Sequence, residues 1–488
     1  MTTPGDSTRF DAIIVGSGAG GCAAAWQLAR SGLQVALLEK GHELARDAST
    51  LDVDQVVHQG KFKSHERWLD NRGKAFAPEE YFNLGGKTKW YGAALLRYAR
   101  HEFAADPPHQ APGWPIAYDD LAPYYKQAER LLGVRHFDCE ADLCAIVARL
   151  SRRAPGWRHE PLPLGLAEQI LRQPLEAQHF DGFASPGDLK GDGTTAFLKQ
   201  VRALPNLRLH TGAPVTDLLA AVGDPRRVEG VRLADGTELR ARAVLLAAGA
   251  LHSPRLLQRY LESNQLAERL PCQQNLGRNL KLHLLTAMVA LAPGRKSDLI
   301  RKTTLFLNDR LPHSSVQPLG FDGELIATLM PRLVPRWLAR QLGARAYGFF
   351  LQTEDGAHPD NRVLDGSAST QGLPVMDYDA SRNPAALGEH RQLVRNFRNA
   401  LLRAGMLAFS QRIGIGGTAH VSGTMSAGTS PQNSVVDAQG LVHGLNSLYV
   451  VDGSVLPRSS RVNPSLSIYA WSLRTAERLA ARLRAEAV

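Results

Sequence analysis

Cysteine is scarce. The chain has four, Cys22, Cys139, Cys144 and Cys272, in 488 residues. They are too few and too scattered for a disulfide framework, and Cys139 with Cys144, as a lone pair, makes a poor zinc site. A reduced, cytoplasmic setting is the expectation. No apolar run approaches the ~20 residues of a membrane span, so no integral membrane segment is expected. The opening MTTPGDSTRF lacks the apolar core and twin arginine of an export signal. Also missing is a basic block with interleaved aromatics. The 57 Lys and Arg exceed the 47 Asp and Glu, giving a net charge of +10, but they are dispersed. That reads as a solvated arginine-rich surface, and no nucleic-acid partner is expected. Tandem repeats, low-complexity tracts and a strand-elbow serine with hydrolase partners are absent as well. No His, Cys and Asp spacing resembles a metal site, so no metal is expected.

What is present is an ordinary globular balance, 44% hydrophobic and 21% charged, in a chain long enough for two domains. It begins with FDAIIVGSGAGGCAAAWQLARSGLQVALLEKG. Residues 10–15 read as a short buried strand, 22–30 as a helix capped by Gly32, and QVALLE as a second strand ending in Glu39. Gly16, Gly18 and Gly21 have the G-x-G-x-x-G spacing between strand and helix. The first permits the tight turn, the second lets a pyrophosphate approach the backbone, and the third lets helix and strand pack closely. The helix N-terminus then faces the phosphates. Glu39, about 20 residues on, is placed to bind ribose hydroxyls.

Three further stretches favour FAD over a nicotinamide cofactor, because they imply a longer molecule threading the domain. LLAAGA is a strand ending at the small turn Ala248-Gly249. LYVVDGS is a strand ending in Asp452-Gly453, whose carboxylate is suited to accept hydrogen bonds from the cofactor. In NLGGKTKWYG, Gly85, Gly86 and Gly92 let the backbone lie against a flat ring.

Elsewhere, 47–83 reads as polar and irregular. YDDLAPYYKQAERLL reads as a helix with Asp119 or Asp120 as N-cap. Residues 152–205 are rich in Pro, Gly and His and read as loops. Strands return near Arg208, with a hairpin turn at Asp235-Gly236, and SPRLLQ starts a helix. LIATLM and AYGFFLQ read as strands, and 385–409 as a helix. A terminal helix runs to Ala485.

In GGTAHVSGTM, His420 stands among glycines and hydroxyls. Taken locally it is open among a general base, a metal ligand and a packing residue.

Several of these pieces together resemble the glucose–methanol–choline (GMC) family of FAD-dependent oxidoreductases. They are IIVGSGAGGCAAA…LLEKG, GGKTKWYGAALLR, GWPIAYDDLAPYYKQAE, VLLAAGALHSPRLL, LGRNLKLH and the block from AHVSGTM through LYVVDGSVLPRSSRVNPSLSIYAWSLRTAERLA. The resemblance implies an α/β (α+β) fold: a discontinuous Rossmann-like FAD-binding domain with a β-meander, and a substrate-binding domain with a mixed or antiparallel sheet flanked by helices. The FAD-binding domain is expected over 8–150, 207–286 and 412–488. A substrate-domain or loop segment is expected over 151–206, and the substrate-binding domain over 287–411.

The resemblance further implies oxidation of an alcohol, with hydride passing to flavin N5. His420 is then the base and Asn463, in RVNPSL, its partner. A neutral imidazole is suited to take the alcohol proton, and an amide can hold the oxygen without competing for that proton. Around them Ala19, Lys40, Thr88, Tyr91, Val215, Pro464 and Ser465 join the glycines, Glu39, Ala248 and Asp452 as expected cofactor neighbours. His283 and His443 are read as structural.

Trp90 stands where some members attach FAD through a histidine, so non-covalent FAD is expected. Lys87 and Tyr91 also depart from the common pattern, and Trp90 and Tyr91 either pack in the core or shape the flavin's edge. GG-x-T-x-W leans toward the bacterial sugar- and polyol-oxidising branch. The expected partners are a small-molecule alcohol, most readily a sugar, glycoside or polyol, and an electron acceptor: oxygen, a quinone or a redox protein. The alternatives are a non-sugar alcohol or biosynthetic intermediate, and a lyase that cleaves cyanohydrins and keeps FAD without redox turnover.

Overall fold

The computed structural model describes residues 9–330 and 333–486. Residues 1–8, read above for an export signal, lie outside the described residues. None of the described helices is long and apolar enough to cross a membrane.

A seven-stranded sheet carries the nucleotide end. At its centre Phe10–Val15 runs parallel to Val35–Leu38 on one side and to Glu238–Leu246 on the other. Leu207–His210 extends the first side, and Leu448–Val450 runs parallel to the end of Glu238–Leu246. These central strands read as unbroken apolar runs because both of their faces are covered, as parallel sheets require. The antiparallel strands Val215–Ala221 and Asp224–Leu233 continue the sheet through the start of Glu238–Leu246. The chain turns at Asp235-Gly236, where Gly236 has φ +88°.

Helices Ala19–Arg30 and Ser465–Ala485 pack together against this sheet. The close approach of the first helix to the strand ends depends on missing side chains. A Cβ on Gly20 would lie 1.9 Å from the Val451 carbonyl oxygen, and one on Gly21 equally close to that of Gly16. Ser472 donates a hydrogen bond to the Gly20 carbonyl at 2.6 Å, tying the last helix to the first.

The second sheet is antiparallel, with six strands in the order Leu407–Arg412, Leu284–Leu291, Ala346–Thr353, Ser314–Pro318, Thr304–Leu307 and Arg158–Pro161. Alternation gives it two faces. Met288, Ala290, Tyr347, Phe349 and Leu351 point into a second core with Leu393 and Phe397 of helix Pro384–Arg403 and Leu143, Ile146 and Leu150 of helix Ala141–Arg153. Leu285, Ala287 and Phe350, on the opposite face, line a large cavity between this sheet and the first. Two strands of a small four-stranded sheet, Trp68–Asp70 and Ala75–Phe76, lie within the stretch expected to be irregular; the other two are Arg362–Leu364 and Val375–Asp377.

Several elements differ from the sequence reading. LIATLM is not a strand: Leu325 lies in helix Gly323–Thr328, whose first turn is capped by the Asp322 carboxylate accepting from Leu325 N at 2.8 Å. The expected helix 385–409 ends at Arg403. Gly405, at φ +79°, turns the chain, and Leu407–Arg412 becomes an edge strand. Neither Asp119 nor Asp120 is the N-cap of Tyr118–Leu131. Ala117 is, and Asp120 reaches back to accept from its N–H at 2.9 Å. The strand expected to reach Ala248-Gly249 stops at Leu246.

Helix Ala141–Arg153 falls within the first expected FAD-binding segment yet packs against the six-stranded sheet. Its start is fixed from afar, by Asp298 accepting from Asp142 N and Leu143 N at 2.9 and 2.7 Å.

Candidate active site

One cavity of about 1270 Å³ runs from the glycine turn after the first strand to His420 and Asn463. That exceeds the ~300–1,000 Å³ of an ordinary small-molecule pocket, and it is elongated by its construction between two sheets. It lies at the carboxyl ends of the parallel strands, where open α/β sheets bind ligands.

At the nucleotide end Gly16 adopts φ +102°, a conformation glycine reaches without strain. A Cβ placed on Gly18 would meet no atom within 4 Å. The space there is open beside the N-terminus of helix Ala19–Arg30, as a pyrophosphate cradle needs. Glu39 is buried. Its Oε2 accepts from Ser17 N at 3.0 Å and from the Ser17 hydroxyl, and its Oε1 accepts from Gly41 N at 2.8 Å. These bonds aim the carboxylate along the cavity edge and leave it acceptor capacity for a ribose. Lys40 lines the cavity as well, and pairs with Glu66 over the Phe82 ring.

Along the cavity stand Ala19, Gly86, Thr88, Tyr91, Gly92, Val215, Ala248, Gly249, Asp452, Gly453, Pro464 and Ser465. Two expected residues lie behind its wall. Gly21 serves the helix approach described above. Gly85, at φ +91°, donates its N–H to Ser17 Oγ at 3.0 Å. Asp452 differs in role from the sequence reading. Its oxygens are filled by Gly249 N, Ser253 Oγ, Ser454 N and Ser454 Oγ, so the carboxylate ties two cavity-lining loops together.

Trp90 both packs and lines the wall. It stacks on Tyr81 with ring centroids 4.8 Å apart, and its indole N–H donates to Asn83 Oδ1 at 2.9 Å. Tyr91 donates its hydroxyl to the Gly191 carbonyl. Lys87 pairs with Glu80 and donates to the Thr418 carbonyl at 2.7 Å, so it fastens the glycine segment to the loop that carries His420.

At the far end His420 and Asn463 meet: Asn463 Nδ2 lies 3.2 Å from His420 Nε2. An amide N–H donates, so Nε2 is the unprotonated nitrogen and the ring proton sits on Nδ1. Asn463 is held from behind by the Gln317 amide, whose Nε2 donates to Asn463 Oδ1 at 2.5 Å. His283 stands edge-on to His420 at 4.9 Å between centroids, and its Nε2 donates to the Ser460 carbonyl at 2.8 Å. Burial holds the His420 pKa well below the ordinary imidazole range, with His283, Lys302 and Lys87 acting in the same direction. His420 is therefore neutral at physiological pH and able to accept a proton.

Gln317, Lys302, Asp181 and His283 were not picked out as site residues from the sequence. Lys302 pairs with Asp181 at 2.8 Å against Gly92, both charges nearly enclosed. No local pattern marked them: Gln317 lies inside strand Ser314–Pro318 and Lys302 just before strand Thr304–Leu307. His443 lies away from this cavity and hydrogen-bonds Ser434 Oγ at 3.0 Å.

Outside the cavity, His109, His313 and Glu354 cluster with ligand-like spacing. Both Glu354 oxygens are taken by Arg458, at 2.7 and 2.6 Å, and that guanidinium repels a cation. The cluster is an ion-pair centre built around Arg458.

Known proteins match the chain along nearly its full length. The pattern described as GMC oxidoreductase matches residues 357–472, and that described as FAD dependent oxidoreductase matches residues 11–302. The 6'''-hydroxyparomomycin C oxidase of Streptomyces lividus is 30% identical, over 99% of this chain and 94% of that protein. The paromamine 6'-oxidase of Streptomyces fradiae is 29% identical, over 99% and 93%. Among solved structures, a pyridoxine 4-oxidase from Mesorbium loti superposes with a TM-score of 0.66 at 19% identity, over 96% and 98% of the two chains. A formate oxidase from Aspergillus oryzae superposes with a TM-score of 0.72 at 16% identity, over 98% and 99%.

Proposed function

The chain belongs to the GMC family of FAD-dependent oxidoreductases, and we propose that it oxidises a CH–OH group of a sugar, glycoside or polyol-like molecule with His420 as base and Asn463 as its partner. The observation that carries this reading is the 3.2 Å approach of Asn463 Nδ2 to His420 Nε2 at the end of the cavity away from the nucleotide turn. The sugar assignment draws on the two Streptomyces relatives, whose names place their chemistry on aminoglycosides.

The residues present fit FAD. Gly16 and Gly18 would cradle the pyrophosphate, Glu39 would receive a ribose, and Gly86 to Gly92 with Ala248 and Gly453 would flank the ring system. Trp90 occupies the position where a histidine would form a covalent link, so the cofactor is held without one. When bound, FAD supplies the acceptor for the hydride that leaves the alcohol carbon.

The chain's own part is positional and acid–base. An alcohol entering between His420 and Asn463 donates its hydroxyl proton to Nε2 and accepts from Asn463 Nδ2. As the C–H bond breaks, the O–H electrons form the carbonyl and the proton stays on His420. Asn463 stabilises the developing negative charge on oxygen with a charge-assisted hydrogen bond. Gln317 keeps the amide N–H facing inward. The electron acceptor that completes the cycle would be oxygen, a quinone or a redox protein.

An anaerobic screen of sugars, glycosides, aliphatic alcohols and cyanohydrins tests the reading. Loss of the oxidised-flavin absorbance with a sugar or glycoside, and recovery of the matching aldehyde or ketone, is the expected result. A flavin that stays oxidised while a cyanohydrin is cleaved would overturn it in favour of a lyase.

A further inference from the structure

The end of the cavity that holds His420 has an apolar wall. On the six-stranded sheet Ala287, Phe350 and Gln317 stand side by side in register, and the Phe350 ring meets His420 edge-on with centroids 6.2 Å apart. Two residues along that strand Gly348 offers no side chain. A Cβ there would stand 3.2 Å from that of Leu319, so Leu319 covers the sheet about 7 Å beyond Phe350, by the rise of two strand residues.

From Leu319 the chain passes through Phe321 into helix Gly323–Thr328. Leu325 of that helix joins Trp90 and Val56 in one apolar cluster, with Phe321 packed against it, and all four line the cavity. The wall therefore runs from Phe350 through Leu319 to Trp90. Beside it Asp181 Oδ2 accepts from Lys302 Nζ at 2.8 Å and from Gly320 N at 3.0 Å.

The acids of the cavity are already matched. Glu39 and Asp452 are engaged as described, and Asp217 stands on strand Val215–Ala221 at the nucleotide end. Glu66, Glu79, Glu80 and Asp181 pair one to one with Lys40, Lys63, Lys87 and Lys302. Among the described residues, a substrate ammonium near His420 would meet no carboxylate without its own cation. Lys302 and Lys87 also push the His420 pKa down, so the field at the reaction centre is positive and a further cation is disfavoured there.

We infer that the substrate is an uncharged glycoside or alcohol that carries an aromatic or alkyl group, and that Phe350, Leu319 and Leu325 select it by holding that group. This rests on the alcohol oxidation proposed above and narrows it. The hydroxyl to be oxidised stands between His420 and Asn463. The apolar group lies over Phe350 and Leu319, a span that fits a phenyl ring or a short alkyl chain, and loses its contact with water there. A polycationic amino sugar would fill the same space without matching it.

The test mixes the full-length FAD-loaded protein anaerobically with matched alcohols and follows flavin reduction. The pairs are methyl and phenyl glycosides of glucose, galactose and mannose, and propanol with 3-phenylpropanol. Methyl glucosaminide and neamine are the cationic members. The phenyl member of a pair should reduce the flavin with a second-order constant at least about tenfold above its partner, and methyl glucosaminide about tenfold more slowly than methyl glucoside. Leu319→Asn should bring the phenyl-to-methyl ratio down toward one, with FAD content and Tm at native values. Equal constants within the pairs, or amino sugars faster than neutral glycosides, would overturn this inference and leave alcohol oxidation standing. An unchanged ratio in Leu319→Asn would overturn the assignment of the wall. Reduction by none of these alcohols would overturn both this inference and the reading it rests on.

Discussion

Replacing Gln317 with leucine separates the positioning of Asn463 from everything else at the site. Gln317 is fully buried and touches the reaction centre only through Asn463, its Nε2 donating to Oδ1 at 2.5 Å. Without that donor the Asn463 amide is free to rotate, and its oxygen then presents a lone pair to the lone pair of His420 Nε2. The lost orientation is that of one hydrogen bond, ~1 kcal/mol net, or roughly fivefold in rate. Stability should change little, because the Gln317 Oε1 is itself buried and unpartnered among the described residues. Removing it offsets the acceptor left bare on Asn463, so Tm should move by no more than about 2 °C. Stopped-flow reduction of the bound flavin under saturating alcohol reads the effect. A limiting rate equal to that of the native enzyme, at equal Tm, would refute the positioning role.

The depressed His420 pKa keeps the base neutral to lower pH than an ordinary imidazole, so kcat/KM should stay flat down through about pH 6.5 and fall only below it. In Lys302→Met one of the charges that lowers this pKa is gone, and the acid limb should move up. Glu354 and Arg458 are both buried and paired at 2.6 Å, so Glu354→Ala should cost about 3–5 kcal/mol in denaturant unfolding. Burial opposes the charged form of His313, but its hydrogen bond to Glu354, with Glu389 and Asp106 nearby, outweighs this and raises its pKa. That stability is complete below the unfolded value of about 6.5 and is lost as pH rises through the higher folded value. Tm should therefore decline above neutrality, and His313→Gln should flatten the decline.

The parts legible in sequence are those made by neighbours along the chain. The turn from Gly16 to Gly21, Glu39 closing the second strand and the Asp235-Gly236 hairpin each follow from a few contiguous residues. Runs such as LIATLM were not legible, because a short apolar stretch fits helix or strand, and the deciding contacts are the Asp322 cap and the close crossing of Gly323 and Gly343. Helix Ala141–Arg153 was missed for a related reason, its cap coming from Asp298 more than a hundred residues later. Gln317 and Lys302 are held in the site by partners 146 and 121 residues away, Asn463 and Asp181. His420 and Asn463 became a pair through resemblance, since nothing local says that residues 43 apart stand 3.2 Å from each other.

The central claim is that His420 takes the proton of the alcohol. It is tested by mixing anaerobic His420→Ala, loaded with FAD, with an alcohol that reduces the native enzyme. Loss of a general base should slow flavin reduction by about 10²–10⁴-fold, while FAD content and Tm stay at native values. Reduction at the native rate would contradict the claim.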